Sequence, residues 1–131
     1  MNTKKTILVV EDERPLLGAI CAKLEKSNFD VLTARSVEQA LNHLQDVPHI
    51  DAIWLDHYLL GKEDGLDFIA KCKAKGGICT QIPIFVVSNT ATSDKVKTYL
   101  QLGASKYFVK ADKRLDEIVS EIQDFLAKPS E

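Results

Sequence analysis

The chain has 131 residues, 45% of them hydrophobic and 27% charged, with a formal net charge of −2. That is enough for one domain with a substantial core, and the near-neutral balance lacks the basic field that nucleic acid or an anionic membrane surface would require. No apolar run approaches the ~18 residues of a membrane span, and the run Ile7–Val10 meets acids instead of a signal cleavage site, so a cytoplasmic protein is expected.

In chain order, Thr6 to Val10 reads as a strand buried on both faces. Pro15 sits in a first helical turn, and Leu16, Leu17, Ile20, Cys21 and Leu24 follow at helical spacing. Phe29 to Ala34 is a second strand. Ser36 with Gln39 fits a capping box ahead of Val37, Ala40, Leu41 and Leu44, and Pro48 ends that helix. Ile50 to Leu55 is a third strand. Leu66, Ile69 and Cys72 mark a helix that Gly76-Gly77 is expected to end. Ile82 to Val87 is a fourth strand, with Pro83 near its start, where a missing N–H matters least. Val96, Tyr99 and Leu100 mark a fourth helix, stopped at Gly103. Tyr107 to Val109 is a short fifth strand. Leu115, Ile118, Val119, Ile122, Phe125 and Leu126 form the clearest helical stripe of the chain.

Five strand-then-helix units with short links imply an α/β fold: a doubly wound, five-stranded parallel sheet with helices on both faces. The flavodoxin-like order 2-1-3-4-5 suits the size. The three cysteines, Cys21, Cys72 and Cys79, form no C-x-x-C. Cys21 and Cys72 read as small core fillers and Cys79 as an exposed residue near the Gly-Gly turn.

In such a sheet, ligands gather beyond the carboxyl ends of the strands, where strand order reverses. The residues just past the strands are Glu11 and Asp12, then Asp56, Ser88 and Lys110. The second strand ends on Ala34-Arg35 at the sheet edge, outside this group. Each residue alone has an ordinary reading as a cap, a turn residue or a solvated charge; the conjunction is what points to a site. Three carboxylates ~5 Å apart repel by ~3 kcal/mol per pair at an effective dielectric of ~20. Lys110 offsets part of this. A hard cation offsets more, and oxygen ligands in a wet cleft suit Mg²⁺.

Four segments, I-L-V-V-E-D-E, W-L-D-H-Y-L-L-G-K-E-D-G, V-V-S-N-T and L-G-A-S-K-Y-F-V-K, stand in this order from about Ile7 to about Leu126. As a set they resemble the receiver domain of bacterial two-component response regulators. The resemblance implies a single receiver domain over residues 1–131, with its core at about 6–127. It implies that Asp56 is the phosphoacceptor, taking a phosphoryl group from a sensor histidine kinase or histidine phosphotransfer protein. Asp12 would bind Mg²⁺ directly, Glu11 directly or through water, and the backbone carbonyl of Tyr58 would join Asp56 as a further ligand. Ser88 and Lys110 would each hold a phosphoryl oxygen, and Ser88 with Tyr107 would form the switch. Such a domain catalyses only its own phosphorylation and dephosphorylation and is not a turnover enzyme. Its signal passes to a downstream protein partner or output domain, with no direct nucleic-acid or membrane contact from this chain.

Several positions depart from the family pattern. Glu11 stands where aspartate is more frequent, Ser88 where threonine is common and Ala111 where proline is usual, so a trans Lys110–Ala111 bond is expected. The loop 59–65 lacks the usual proline and is one residue longer than the common form. Ser105-Lys106 replaces a pair of acids used for dimerisation in one DNA-binding subfamily, so that dimer is not carried over. Lys95, Lys97, Lys106 and Lys113 read as solvated surface, with a basic output face as the alternative. Nothing after Leu126 reads as a DNA-binding, cyclase or kinase segment, which leaves a stand-alone receiver or part of a longer regulator.

Three other functions compete. An FMN-binding flavodoxin needs a Ser/Thr/Gly-rich phosphate loop after the first strand, and Glu11-Asp12-Glu13 would repel the phosphate. An aspartate-nucleophile phosphatase resembles a D-x-D there, which is absent. A receiver-like module working without phosphorylation draws support from the substitutions at 11 and 111.

Overall fold

The computed structural model describes residues 4–74, 77 and 80–128. Strands β1 (Thr6–Val10), β2 (Asp30–Ala34), β3 (Ala52–Leu55), β4 (Ile84–Ser88) and β5 (Lys106–Val109) alternate with helices α1 (Arg14–Lys26), α2 (Val37–Asp46), α3 (Gly65–Lys73), α4 (Ser93–Gln101) and α5 (Leu115–Ala127). The sheet is wholly parallel in the order β2-β1-β3-β4-β5. The expected α/β architecture and strand order are therefore met. Because side chains alternate along a strand, the sheet separates two cores. Leu8, Val10, Ile53, Leu55, Ile84 and Val86 pack with α2, α3 and Tyr99 of α4 on one face. Ile7, Val9, Trp54, Phe85, Val87 and Phe108 pack with α1 and α5 on the other.

Helix starts follow their capping chemistry. Ser36 Oγ accepts the Gln39 N–H at 3.2 Å, while Gln39 Oε1 reaches one residue further back than a capping box requires and accepts the Arg35 N–H at 2.7 Å. Asp64 and Asp67 form the reciprocal pair that opens α3. Thr92 Oγ1 accepts the Lys95 N–H ahead of α4.

Some boundaries differ from expectation. Helix α3 ends at Lys73, with Ala74 as its extended cap; Gly77 then donates to the Ala74 carbonyl. Gly76 and Cys79 lie outside the described residues. Strands β3 and β4 begin two residues late: Pro83 precedes β4 and uses its carbonyl to accept the Ile53 N–H. Gly103 ends the α4 turn at φ +113°, a conformation that side-chain-bearing residues resist. Cys72 is buried in the core as expected, whereas Cys21 is only half-buried. No described helix is long and apolar enough to cross a membrane.

Candidate functional site

The alternation that builds the two cores also aims the residues past the strand ends. Counting by twos from Val9, Trp54 and Phe108 leads to Glu11, Asp56 and Lys110, so these three leave the sheet toward the α1/α5 face. They meet there. Lys110 Nζ lies 3.1 Å from Glu11 Oε1 and 3.4 Å from Asp56 Oδ1. One carboxylate oxygen from each of Glu11, Asp12 and Asp56 lies within 4.8 Å of the others. Backbone pairing holds the carriers: the Glu11 N–H donates to Ala34, the Asp56 N–H to Val10 and the Lys110 N–H to Ser88.

Glu11 and Asp56 are buried, at 1% and 4% exposure, and Asp12 is half-buried. Both Glu11 oxygens are engaged, one with Lys110 and the other with the Glu13 N–H. Burial and then the Glu11 charge push the Asp56 carboxyl up from its ordinary 3.8 to about 7, against the opposing pull of Lys110. One lysine thus leaves the cluster short of positive charge. Clustered carboxylate oxygens form a hard donor set, the chemistry a small divalent cation takes. Among the described residues no peptide bond is cis, so Lys110–Ala111 is trans, and Lys110 reaches both acids without a proline behind it.

Ser88 ends β4 fully buried, with the opposite alternation; its Oγ accepts the Thr90 N–H at 3.4 Å. Tyr107 is half-buried and donates its hydroxyl proton to the Thr90 carbonyl, which joins β5 to the loop after β4. Tyr58 follows the buried pair Asp56-His57 and exposes its ring, with Lys95 Nζ 5.1 Å from the ring centroid and 2.9 Å from Thr90 Oγ1. Of the basic face considered above, Lys106 and Lys113 are both paired with Glu121. One carboxylate is therefore shared by two of the four lysines and offsets one of their charges.

Residues 7–123 match the family described as the response regulator receiver domain. The chain belongs to that family. The phosphate regulon transcriptional regulatory proteins PhoB of Klebsiella pneumoniae and of Escherichia coli are similar to this receiver domain, 33% and 32% identical over 106 residues that cover 81% of it. The match covers 45% of each, so the chain spans about half the length of these curated relatives. Among solved structures, the phosphorylated cyanobacterial phytochrome response regulator RcpA superposes with a TM-score of 0.84 at 25% identity, over 98% of both chains. A CheY-like receiver domain protein from Methanospirillum hungatei gives the same TM-score at 19% identity, over 95% of this chain and 94% of that one, which bears on fold alone.

Two features of this receiver domain escape a reading of strand ends. His57 leaves the sheet on the face opposite Asp56, and its Nδ1 meets the Tyr99 hydroxyl at 2.6 Å, both side chains being buried. Burial and then Lys95 lower the His57 pKa against the opposing pull of Asp64 and Asp67, which favours the neutral ring. Gly65 makes the room: a Cβ there would lie 2.4 Å from the Tyr99 hydroxyl and 2.8 Å from the Asp56 carbonyl. The second feature is Arg35, set aside as an edge residue, whose guanidinium reaches the Asp12 carbonyl. Nothing local flags the His57–Tyr99 pair, 42 residues apart. Arg35 carried one faint signal, a long cationic side chain one residue past a strand end.

Proposed function

We propose that Asp56 accepts a phosphoryl group and that Glu11, Asp12, Asp56 and the Tyr58 carbonyl hold the Mg²⁺ that makes this possible. The observation that carries the reading is the junction of three strand ends at Lys110. One ammonium bridges Glu11 and Asp56, while three carboxylates crowd within 4.8 Å. Phosphoryl transfer needs positioning and charge neutralisation more than covalent help. An Asp56 oxygen attacks phosphorus, the bond from phosphorus to the donor's imidazole nitrogen breaks, and the imidazole leaves with the electron pair. Lys110 neutralises charge on the incoming group. Mg²⁺, when bound, lowers the charge of the cluster and shields the nucleophile from the incoming phosphoryl oxygens. Ser88, whose hydroxyl among the described residues holds the Thr90 N–H across a long 3.4 Å, can turn toward a phosphoryl oxygen. Tyr107, tied to the Thr90 carbonyl of the same loop, would register that movement.

The partners on this reading are a sensor histidine kinase or histidine phosphotransfer protein upstream, in the cytoplasm where ATP is available, and a protein partner or output domain downstream. The domain turns over only its own phosphoryl group. That PhoB proteins are transcriptional regulators and that RcpA was seen phosphorylated supports the direction of the reading.

The test is exposure to acetyl phosphate with Mg²⁺, followed by intact mass. One added phosphoryl group is expected on the wild type and none on Asp56→Asn. An unmodified wild type would favour the module that works without phosphorylation. A modified Asn variant would move the acceptor elsewhere.

A further inference from the structure

The three carboxylates arrive on two loops, one carrying Glu11 and Asp12 and the other leading on from Asp56. Both loops are tied to one short stretch at the sheet edge. Ala34 accepts the Glu11 N–H at 3.0 Å, and the Arg35 carbonyl accepts the Leu60 N–H at 3.0 Å. Ser36 and Leu60 form an isolated parallel bridge. Arg35 then folds its side chain across the end of β1, and Nε and Nη2 both donate to the Asp12 carbonyl, at 3.1 and 2.9 Å. The base of this arm is fixed in turn by the Arg35 N–H donating to Gln39 Oε1.

Two donors from one planar group converge on one carbonyl oxygen and hold that oxygen in place. That constrains the Asp12 backbone and so the direction of its carboxylate. A lysine can offer the same charge, but as a single point with rotatable donors it cannot grip the oxygen with a rigid fork. The demand is strict, because Mg²⁺ tolerates little departure from octahedral geometry.

We propose that Arg35 is a positioning residue for the divalent-cation site, holding the Asp12 carboxylate in its binding direction from outside the cluster. This rests on the reading that Glu11, Asp12 and Asp56 hold Mg²⁺. The alternative role, a simple charge beside the cluster, has the opposite sign: a guanidinium repels an arriving dication, so its removal would tighten binding.

The experiment is calorimetric titration of Mg²⁺ into the full chain as wild type, Arg35→Ala and Arg35→Lys, with urea unfolding of each metal-free protein alongside. Arg35→Ala is expected to bind Mg²⁺ about 10-fold more weakly, the lower end for loss of a group that orients a metal ligand. Its metal-free unfolding midpoint should stay close to wild type. Arg35→Lys should fall between the two, and carries the test if the alanine variant does not fold. Unchanged or tighter binding in Arg35→Ala overturns the positioning role, as does an affinity loss matched by an equal loss of metal-free stability. A wild type that takes up no Mg²⁺ overturns the metal site itself and this role with it, a result distinct from the others.

Discussion

Helices α4 and α5 cover the two faces of the sheet near β5 and are held there by different forces. Helix α5 buries Ile118, Val119 and Ile122 and half-buries Leu115, Phe125 and Leu126, a continuous apolar face with a Phe85–Phe125 edge contact beneath it. Helix α4 buries Tyr99 alone, half-buries Lys95 and Val96, and leaves Leu100 46% exposed. Apolar attachment is non-directional and scales with area, so α5 cannot shift without exposing much of it. The one deeply buried anchor of α4 is a side chain whose polar end is bonded to His57, the neighbour of Asp56. The helix that can be repositioned cheaply is thus the one wired to the candidate phosphoacceptor.

The largest effect should come from the α5 side. Ile122→Ala removes a fully buried side chain from the core that also holds Trp54 and Phe85, and should cost about 3 kcal/mol. Urea unfolding followed by fluorescence of Trp54, the single tryptophan, measures it. A loss below about 1 kcal/mol would remove the contrast, since α5 would then not be fastened by its apolar face.

The junction to which α4 is tied carries its own pH signature. Asp56 has its pKa raised from 3.8 to about 7 in the folded, metal-free protein. The folded state therefore keeps a proton that the unfolded chain has already released. Stability falls as pH rises from about 4 to about 7 and levels off above, by about 2 to 4 kcal/mol in all. Asp56→Asn removes this dependence and should be the more stable protein at pH 8, with the two converging near pH 4. Mg²⁺ should narrow the gap at pH 8 by binding only the folded wild-type cluster. Parallel stability curves for the two proteins would show that burial and Glu11 do not strain Asp56.

Much of this arrangement was legible in the sequence, for a specific reason. Doubly buried strands read as apolar runs, and the residue where each run stops is placed by the backbone, so Glu11, Asp12, Asp56, Ser88 and Lys110 could be set at one end of the sheet before any side chain was seen. The stripe of α5 was legible because six apolar residues repeat at helical spacing. The stripe of α4 marked the helix without fixing its contacts: Val96, Tyr99 and Leu100 have the right spacing, but only Tyr99 is buried. A three-residue stripe on a nine-residue helix leaves the facing angle loose. The His57–Tyr99 bond and the Arg35 brace were not legible, because each joins residues brought together only by the strand order.

The smallest and most discriminating effect belongs to that bond. Tyr99→Phe keeps the ring in the core and deletes one hydroxyl. The pair is worth about 1 kcal/mol in net terms, and the change leaves His57 Nδ1 buried without its partner, which raises the cost toward 2 kcal/mol. Global unfolding will register little of this if α4 opens on its own before the rest. Amide hydrogen exchange separates the two scales. In Tyr99→Phe, the amides of α4 and of the loop from His57 to Asp64 should lose protection, while those of α5 stay close to wild type. His57→Leu, which removes the partner with the hydroxyl retained, should weaken the same α4 amides, since the bond has two ends. Equal loss of protection in α4 and α5 would mean that Tyr99 serves the common core. No loss in either variant would mean that α4 is fastened by its half-buried residues, and the contrast between the helices would then be one of area alone.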